Sequence, residues 1–155
     1  IPDASYDLVY ANMSLMDMED AEGAVKEVSR VLKRRAGRFV ASISHPCFDN
    51  GTNSSWVTEK VAFEPRKICR KIRAYRKPFS ENIRWKLDNN EYRFTPSFHR
   101  PLNWYAHVLS SNGLAITALE EPEPTQEFLE KEENEEYSSG FTEVPLHLVF
   151  EAIKL

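Results

Sequence analysis

Short apolar runs and one amphipathic stretch alternate over the first 44 residues. Residues 6–10 and 39–44 have the length and the β-branched and aromatic composition of buried strands. Between them, apolar side chains recur at helical spacing on one face, at Ala21, Ala24, Val25, Val28, Val31 and Leu32. A strand, a helix and a strand within about 40 residues predict a βαβ unit with a parallel sheet.

Residues 47–98 interrupt this alternation. Residues 51–55 contain Gly, Asn and Ser and favour a loop. Ile83, Trp85 and Leu87 then alternate with basic residues ahead of an Asp-Asn-Asn turn, which predicts a β-hairpin. The segment is too long for an ordinary connection between a strand and a helix, so we expect an inserted lid or binding element.

The earlier pattern returns after the insertion. Pro101 suits the first turn of a helix, and the apolar spacing predicts a buried face of Leu102, Tyr105, Ala106 and Leu109. A strand is expected over residues 114–119 and a last strand over residues 146–153, with a polar loop or short helix over residues 125–140. The order of these elements predicts an α/β fold.

Composition and charge restrict the class of protein. The chain has 155 residues, 41% hydrophobic and 28% charged, as expected for one domain with a core. No apolar run reaches the roughly 18 residues of a membrane helix. Cys47 and Cys69 form no disulfide framework, and the Cys and His spacing predicts no metal site. We therefore expect a protein of the reducing cytoplasm that contacts no membrane.

The charges are segregated along the chain. Residues 59–93 contain 11 Lys or Arg and 5 Asp or Glu, whereas residues 120–136 contain 9 Glu and one Lys. Aromatic residues lie among the basic ones, an arrangement found in nucleic-acid-binding surfaces. The acidic isoelectric point of about 5.6 makes nucleic acid an unlikely partner. A lid whose aromatic side chains shape a pocket is the preferred interpretation.

Four segments resemble one enzyme family. Residues 3–9 read Asp-Ala-Ser-Tyr-Asp-Leu-Val, which resembles the start of the fourth strand in Rossmann-like, small-molecule methyltransferases that depend on S-adenosylmethionine. Residues 27–33 with 37–40 resemble the family's next helix and fifth strand. Residues 99–105 resemble the helix before its sixth strand, and residues 150–154 resemble its seventh strand.

The resemblance implies a partial methyltransferase sheet of family strands four to seven, in the order 4-5-7-6 with the last strand antiparallel. Residues 1–155 would form the C-terminal part of one methyltransferase domain, and residues 47–98 its lid-like insertion. The family's glycine-rich loop and its ribose-binding acidic residue have no counterpart, and Arg34-Arg35-Ala36-Gly37 replaces a Pro-Gly-Gly turn. We expect the N-terminal cofactor-binding half to be absent and the isolated chain to be inactive.

Ligands of open parallel sheets bind beyond the carboxyl ends of the strands. The resemblance implies that the loop after the first strand lies beside the methionine part of S-adenosylmethionine, through Asn12, Met13, Ser14 and Leu15. The alternative is a loop held by local Asn and Ser hydrogen bonds.

Two histidines are candidate catalytic residues. His45 follows the second predicted strand and would face the methyl acceptor, where an imidazole can remove a proton near neutral pH. His99 ends the insertion and is expected to reach the same cleft. Arg100 and Trp85 are candidate substrate contacts. For both histidines, the alternative is a structural hydrogen bond to the backbone or between the insertion and the sheet.

These features predict methyl transfer from S-adenosylmethionine to a small-molecule acceptor by the intact protein. Two alternatives stay open: a non-catalytic binding or assembly module derived from half a methyltransferase domain, and a nucleic-acid-binding protein that uses the insertion. We also expect the first strand to lie at a sheet edge, where it pairs with the missing half or with another copy.

Overall fold

Four strands of the computed structural model form one open sheet, and two helices pack against it. The structure describes residues 1–60, 62, 67–131 and 135–155. None of the described helices has the length and apolarity that are needed to cross a membrane. In chain order, the strands and helices are β1 (Leu8–Asn12), α1 (Ala21–Val31), β2 (Arg38–Ser44), β3 (Ser54–Glu59), β4 (Lys67–Ile72), β5 (Phe79–Lys86), β6 (Tyr92–His99), α2 (Leu102–Ser111), β7 (Leu114–Glu120), α3 (Gln126–Lys131), α4 (Glu135–Glu143) and β8 (His147–Lys154).

The order of strands in the main sheet is β1-β2-β8-β7. β1 is parallel to β2, and β8 is antiparallel to both β2 and β7. In the numbering of the family this is the order 4-5-7-6 with an antiparallel last strand, so the predicted α/β fold is confirmed. Because β1, β2 and β7 point the same way, their carboxyl ends meet at one edge of the sheet.

The core lies on one face of this sheet. Alternate side chains of the two central strands are buried there, namely Phe39, Ala41, Ile43, Leu148, Phe150 and Ala152. Val25 of α1 and Val108 of α2 belong to the same cluster. The rings of Phe39 and Phe150 meet edge to face with centroids 5.8 Å apart, which fastens β2 to β8.

The buried face of α2 differs in part from the predicted one. Tyr105 and Leu109 are buried, as predicted, and Leu102 packs against the core. Ala106 is exposed, and Val108 takes the predicted place of Ala106 in the core. Tyr105, Val108 and Leu109 lie three, six and seven residues after Leu102 and so share one face of the helix, whereas Ala106 lies beside that face.

The first strand begins two residues later than predicted and is less buried. It spans Leu8–Asn12, and Tyr6 forms only an isolated bridge to Leu32. Tyr6 and Leu8 are exposed, and Tyr10 is 75% exposed. These side chains are exposed because β1 lies at the edge of the sheet, where it pairs with β2 alone among the described residues.

Among its described residues, the insertion contains two antiparallel strand pairs. β5 and β6 form the predicted hairpin, whose turn places Asn90 at a φ of 61°. The β3–β4 pair is not predicted by the sequence. The expected loop at residues 51–55 is instead a short 3-10 turn, Gly51–Asn53, that leads directly into β3 at Ser54.

The burial of Leu109 gives a stability prediction. Leu109→Ala removes a side chain that is almost fully buried between α2 and the sheet, and the cavity left behind lowers the free energy of unfolding by about 2–5 kcal/mol. Urea denaturation measures this loss. His107→Ala, on the exposed side of the same helix, is the control and changes stability by less than about 0.5 kcal/mol. Equal effects of the two substitutions would contradict the assigned core.

The exposed edge of β1 gives an association prediction. Unpaired backbone groups beside exposed apolar side chains promote strand pairing between molecules, so the chain should associate as its concentration rises in sedimentation experiments. Tyr10→Lys places a charge at the edge and should shift the protein toward monomer, whereas Tyr92→Lys on the distant hairpin should not. A wild-type chain that stays monomeric at every concentration would contradict the prediction.

Candidate functional site

A cavity of about 310 Å³ lies at the sheet edge where β1 and β2 end. One side is formed by the segments that follow these strands, and the other by the insertion and the start of α2. The volume is at the lower end of ligand pockets, which span roughly 300–1,000 Å³. The lining residues are Met13, Met16, Asp17, Ser44, Pro46, Asp49, Asn50, Gly51, Glu81, Ile83, Trp85, Ser97, Phe98, His99, Arg100 and Tyr105.

Hydrogen bonds around Ser42 hold the segment after β1. The Met13 N–H donates to both the carbonyl and the hydroxyl oxygen of Ser42, each at 3.0 Å. The Ser42 hydroxyl donates to Asn12 Oδ1 at 2.5 Å. Met13 adopts a φ of 45°, a conformation that costs energy for a residue with a Cβ. These bonds keep Met13 in that conformation.

Ser14 and Leu15 lead into a 3-10 turn, Leu15–Asp17. The Ser14 carbonyl accepts the Asp17 N–H at 3.0 Å, and the Leu15 side chain is buried in the core. Of the four residues predicted to bind cofactor, only Met13 lines the cavity. The cofactor contacts of Asn12, Met13, Ser14 and Leu15 stay predictions, and Leu15 can make one only through its backbone.

Arg100 fastens this turn to the start of α2. Its side chain is 8% exposed, and its guanidinium donates to the carbonyls of Met18 at 2.7 Å and Glu19 at 2.9 Å, with a longer contact of 3.4 Å to the Leu15 carbonyl. It also lies 4.8 Å from the centroid of the Trp104 ring. Arg100 therefore holds the cavity wall in place, and its predicted contact with substrate is untested.

Both ring nitrogens of His45 have partners. His45 is 3% exposed. Its Nδ1 accepts the Cys47 N–H at 3.1 Å, so in the neutral ring Nε2 carries the proton and donates to the Glu121 carboxylate at 2.9 Å. Because Glu121 follows β7, this bond joins the ends of two strands. Ser44 and Pro46 line the cavity, but the imidazole between them does not.

His99 has one ring nitrogen available. Its Nε2 donates to the Tyr75 carbonyl at 2.7 Å, so the neutral imidazole keeps a lone pair on Nδ1. The ring stacks on Phe79 with centroids 5.0 Å apart. The Tyr75 hydroxyl accepts the Leu102 N–H at 3.2 Å, and burial raises the pKa of that hydroxyl. The insertion therefore fixes the orientation of His99 beside the cavity.

The β5–β6 hairpin forms the outer wall. Trp85 is 54% exposed and lines the cavity, and its indole N–H donates to Thr95 Oγ1 at 2.7 Å. Both carboxylate oxygens of Glu81 accept the Thr52 N–H at 3.2 Å. Gly51 has a φ of 58°, and a Cβ there would collide with the Glu81 carboxylate. The positive φ therefore favours glycine at this position, and the Glu81 carboxylate occupies the space beside it.

Asp17 and Asn50 are among the cavity residues that the sequence does not single out. Asp17 is exposed, and its carboxylate has no hydrogen-bond or ion-pair partner among the described residues; partial burial raises its pKa. Asn50 is 2% exposed; its Nδ2 donates to the Arg73 carbonyl at 2.7 Å, while its Oδ1 has no donor in the described part of the chain. Asp and Asn are common in turns, so only the fold reveals that they share a cavity.

The cavity is predominantly acidic. Asp17, Asp49 and Glu81 line it together with one guanidinium, that of Arg100. Asp49 pairs with Arg70 at 3.1 Å. In the described ranges, no three His, Cys, Asp or Glu side chains are placed to hold a metal ion.

The Arg100 contacts give a prediction about the cavity wall. Arg100→Lys keeps the positive charge but removes the planar guanidinium, whose several N–H groups reach more than one carbonyl. We expect the free energy of unfolding to fall by about 1.5–3 kcal/mol, the range for a hydrogen bond to a charged group, and the Asp17 and Met18 amides to exchange faster. Hydrogen exchange with urea denaturation measures both effects, and Arg93→Lys on the hairpin is the control. Unchanged exchange at these two amides would contradict the positioning role.

Comparison with known proteins places this geometry in context. A family model described as a methyltransferase domain matches residues 1–41, which include β1, α1 and the start of β2. A search of curated proteins finds no match.

Several solved structures share the fold. An S-adenosylmethionine-dependent methyltransferase from Mesorhizobium loti is 22% identical with a TM-score of 0.68, over 98% of this chain and 64% of its own. A candidate enzyme of the same kind from Listeria monocytogenes is 23% identical with a TM-score of 0.70, over 99% and 63%. The glycopeptide N-methyltransferase MtfA, solved with S-adenosyl-L-methionine, is 14% identical with a TM-score of 0.51, over 99% and 55%. The chain thus spans less than two thirds of the length of each, and the predicted likeness to S-adenosylmethionine-dependent methyltransferases is confirmed in its fold.

Proposed function

We propose that this chain supplies the acceptor side of a methyltransferase site, in a protein that transfers a methyl group from S-adenosylmethionine to a small molecule. One observation carries the proposal: the cavity lies at the carboxyl ends of β1 and β2 in a methyltransferase fold. This is the edge of an open α/β sheet at which ligands bind.

The residues at this edge suit the methionine end of S-adenosylmethionine. Bound there, the molecule would supply a methyl group on a positively charged sulfur. Asp17 offers an unpaired carboxylate to that charge, and Tyr105 and Trp85 line the same cavity with aromatic rings. Met13 adds apolar surface at the end of β1.

The two histidines take different roles in this proposal. His99 lines the cavity with a free Nδ1 lone pair, so it can accept a proton from the acceptor. Both ring nitrogens of His45 are already hydrogen-bonded, to Cys47 and Glu121. His45 therefore acts as a positioning residue that joins the ends of β2 and β7. The catalytic role predicted for His45 is thus replaced in the proposal by a supporting one.

The insertion acts as a lid in this proposal. It contributes Trp85, Ile83 and Glu81 to the cavity from β5, and Ser97 to His99 from β6. Such a wall would exclude water from the acceptor and define its shape. A reducing cytoplasm is the proposed setting, in keeping with the free thiols of Cys47 and Cys69.

Nucleic-acid binding is the second candidate, because the outward face of the same hairpin is basic and aromatic. Tyr92 and Phe94 are exposed there, and the Arg84 guanidinium lies 4.7 Å from the Tyr92 ring centroid. RNA binding that weakens steeply with salt and is lost in Arg84→Ala would favour this candidate. RNA binding that does not change with salt concentration would exclude this candidate. A measurement of cofactor binding distinguishes the enzyme from the other alternative, a non-catalytic module.

The proposal predicts weak but real affinity of the 155-residue chain for S-adenosylmethionine. Among the described residues, the predicted contacts reach only the methionine end, so little free energy offsets the cost of immobilising the ligand. Calorimetry should give a dissociation constant above roughly 100 μM, which is a binding free energy weaker than about −5.5 kcal/mol. Asp17→Asn should weaken binding further.

Asp88→Asn is the matched control, because Asp88 is exposed on the turn of the β5–β6 hairpin and does not line the cavity; it should leave this affinity unchanged. Micromolar binding by the wild-type chain would show that the cofactor site is more complete than proposed. No detectable binding at millimolar concentration would favour the non-catalytic module.

A further inference from the structure

We propose that Glu121 is a positioning residue of the candidate site: by accepting the hydrogen bond from His45 Nε2, it fixes the imidazole tautomer that holds the cavity wall after β2. Glu121 itself does not line the cavity. The inference rests on the proposed function, because it takes this cavity as the site of methyl transfer. It adds a residue outside the cavity that controls the shape of the wall.

The position of the His45 ring is fixed by its surroundings. His45 follows β2 directly and is 3% exposed. Its backbone N–H donates to the Leu146 carbonyl at 2.8 Å, and its ring centroid lies 4.7 Å from that of Phe48. Because the ring is held in place, the location of its proton decides which hydrogen bonds it can form.

The two ring nitrogens need opposite roles. The Cys47 N–H donates to Nδ1 at 3.1 Å, so Nδ1 must present its lone pair. In the neutral ring Nε2 then carries the proton, and the Glu121 carboxylate accepts it in a hydrogen bond of 2.9 Å. A proton on Nδ1 would face the Cys47 N–H and break that bond. An ionised carboxylate can only accept, so Glu121 favours the one tautomer that Cys47 can use.

The segment that begins with this bond forms part of the cavity wall. The Phe48 and Asp49 N–H groups donate to the His45 carbonyl at 3.0 and 2.7 Å, so the chain turns around His45 as it leaves β2. The residues of this turn that line the cavity are Pro46, Asp49, Asn50 and Gly51. The tautomer of His45 is therefore linked to the wall through the backbone.

The far end of the turn has a separate anchor. Arg70 of β4 donates to the Phe48 carbonyl at 2.8 Å and pairs with the Asp49 carboxylate at 3.1 Å. The start of the turn, at Pro46 and Cys47, has no such side-chain anchor from the insertion holding its backbone among the printed contacts of the described residues. We therefore expect Glu121 to act mainly on the Cys47 amide.

Glu121 differs from an ordinary surface carboxylate in the burial of its partner. Its own side chain is 54% exposed, whereas that of His45 is 3% exposed. Ion pairs between exposed groups contribute little to stability, but a buried N–H that loses its acceptor carries the cost of desolvation. The free energy of the bond therefore depends on the acceptor at Nε2, and this acceptor comes from the segment after β7.

Two substitutions separate the acceptor from the negative charge. Glu121→Gln removes the charge but keeps an amide oxygen that can accept from Nε2, whereas Glu121→Lys offers only donors. Glu123→Lys is the matched control, because Glu123 is exposed on the same segment and does not line the cavity at the ends of β1 and β2.

Nitrogen-15 NMR of the 155-residue chain measures the tautomer of His45, at a pH of about 8 where an ordinary imidazole is neutral. Hydrogen exchange measures the Cys47 amide. We expect the Nε2–H tautomer in the wild-type chain, in Glu121→Gln and in Glu123→Lys. In Glu121→Lys the Nδ1–H tautomer should appear, and the Cys47 amide should exchange about tenfold faster, the effect of losing one hydrogen bond.

The amide of Ala41, in the middle of β2, reports whether the sheet stays folded. If Glu121→Lys also speeds exchange at Ala41, Glu121→Ala takes its place with the same expectation for the Cys47 amide. A wild-type ring with a proton on Nδ1, unchanged Cys47 exchange in Glu121→Lys or its replacement, or equal effects of Glu121→Gln and Glu121→Lys would overturn the inference. These measurements need neither substrate nor cofactor, so their failure would leave the proposed methyl transfer to be tested by cofactor binding.

Discussion

The cavity depends on one buried guanidinium. Arg100 lies where the insertion ends and α2 begins, and its donors satisfy carbonyls of the turn that follows β1. Without the guanidinium only water could bond the carbonyls of Met18 and Glu19, because both residues are exposed, and the turn would lose its connection to the start of α2. Through Arg100, three parts that are distant in sequence become a single wall: the segment after β1, the insertion and the first turn of α2.

This arrangement explains why the histidines differ. His45 is at the end of a central strand, where the ends of β2 and β7 converge, and burial requires partners for both of its nitrogens. His99 is at the end of the hairpin, where only one nitrogen meets a backbone carbonyl and the other side of the ring borders a cavity. The same residue type is therefore structural in one position and chemically available in the other.

The sheet was largely predictable from the sequence, and the cavity was not. The apolar runs and the family resemblance specify β1, β2, β7 and β8, and the burial of β2 and β8 explains why these two central strands need apolar sequence. The hairpin around Trp85 follows from strict alternation. β3 and β4 carry no such pattern, since both are only partly buried.

The acceptors of the cavity escape sequence reasoning for a similar reason. Asp17 and Asn50 lie in turns, where Asp and Asn are expected in any case. Their place beside one cavity, and the burial of Asn50, are properties of the folded structure. His99 and Arg100 were found because they lie where the insertion ends, and Trp85 because it is an aromatic residue within the insertion. The sequence could not show that the Arg100 guanidinium would be bonded to backbone carbonyls.

The central claim is that the methyl group to be transferred enters this cavity. The most direct measurement uses S-adenosylmethionine labelled with carbon-13 at its transferable methyl group, at millimolar concentration, to record nuclear Overhauser effects to the protein. We expect contacts from the labelled methyl to the Met13 side chain and the Tyr105 ring, since both residues line the cavity. Contacts to the exposed face of β1 at Leu8 and Tyr10 instead, or none at saturation, would contradict it.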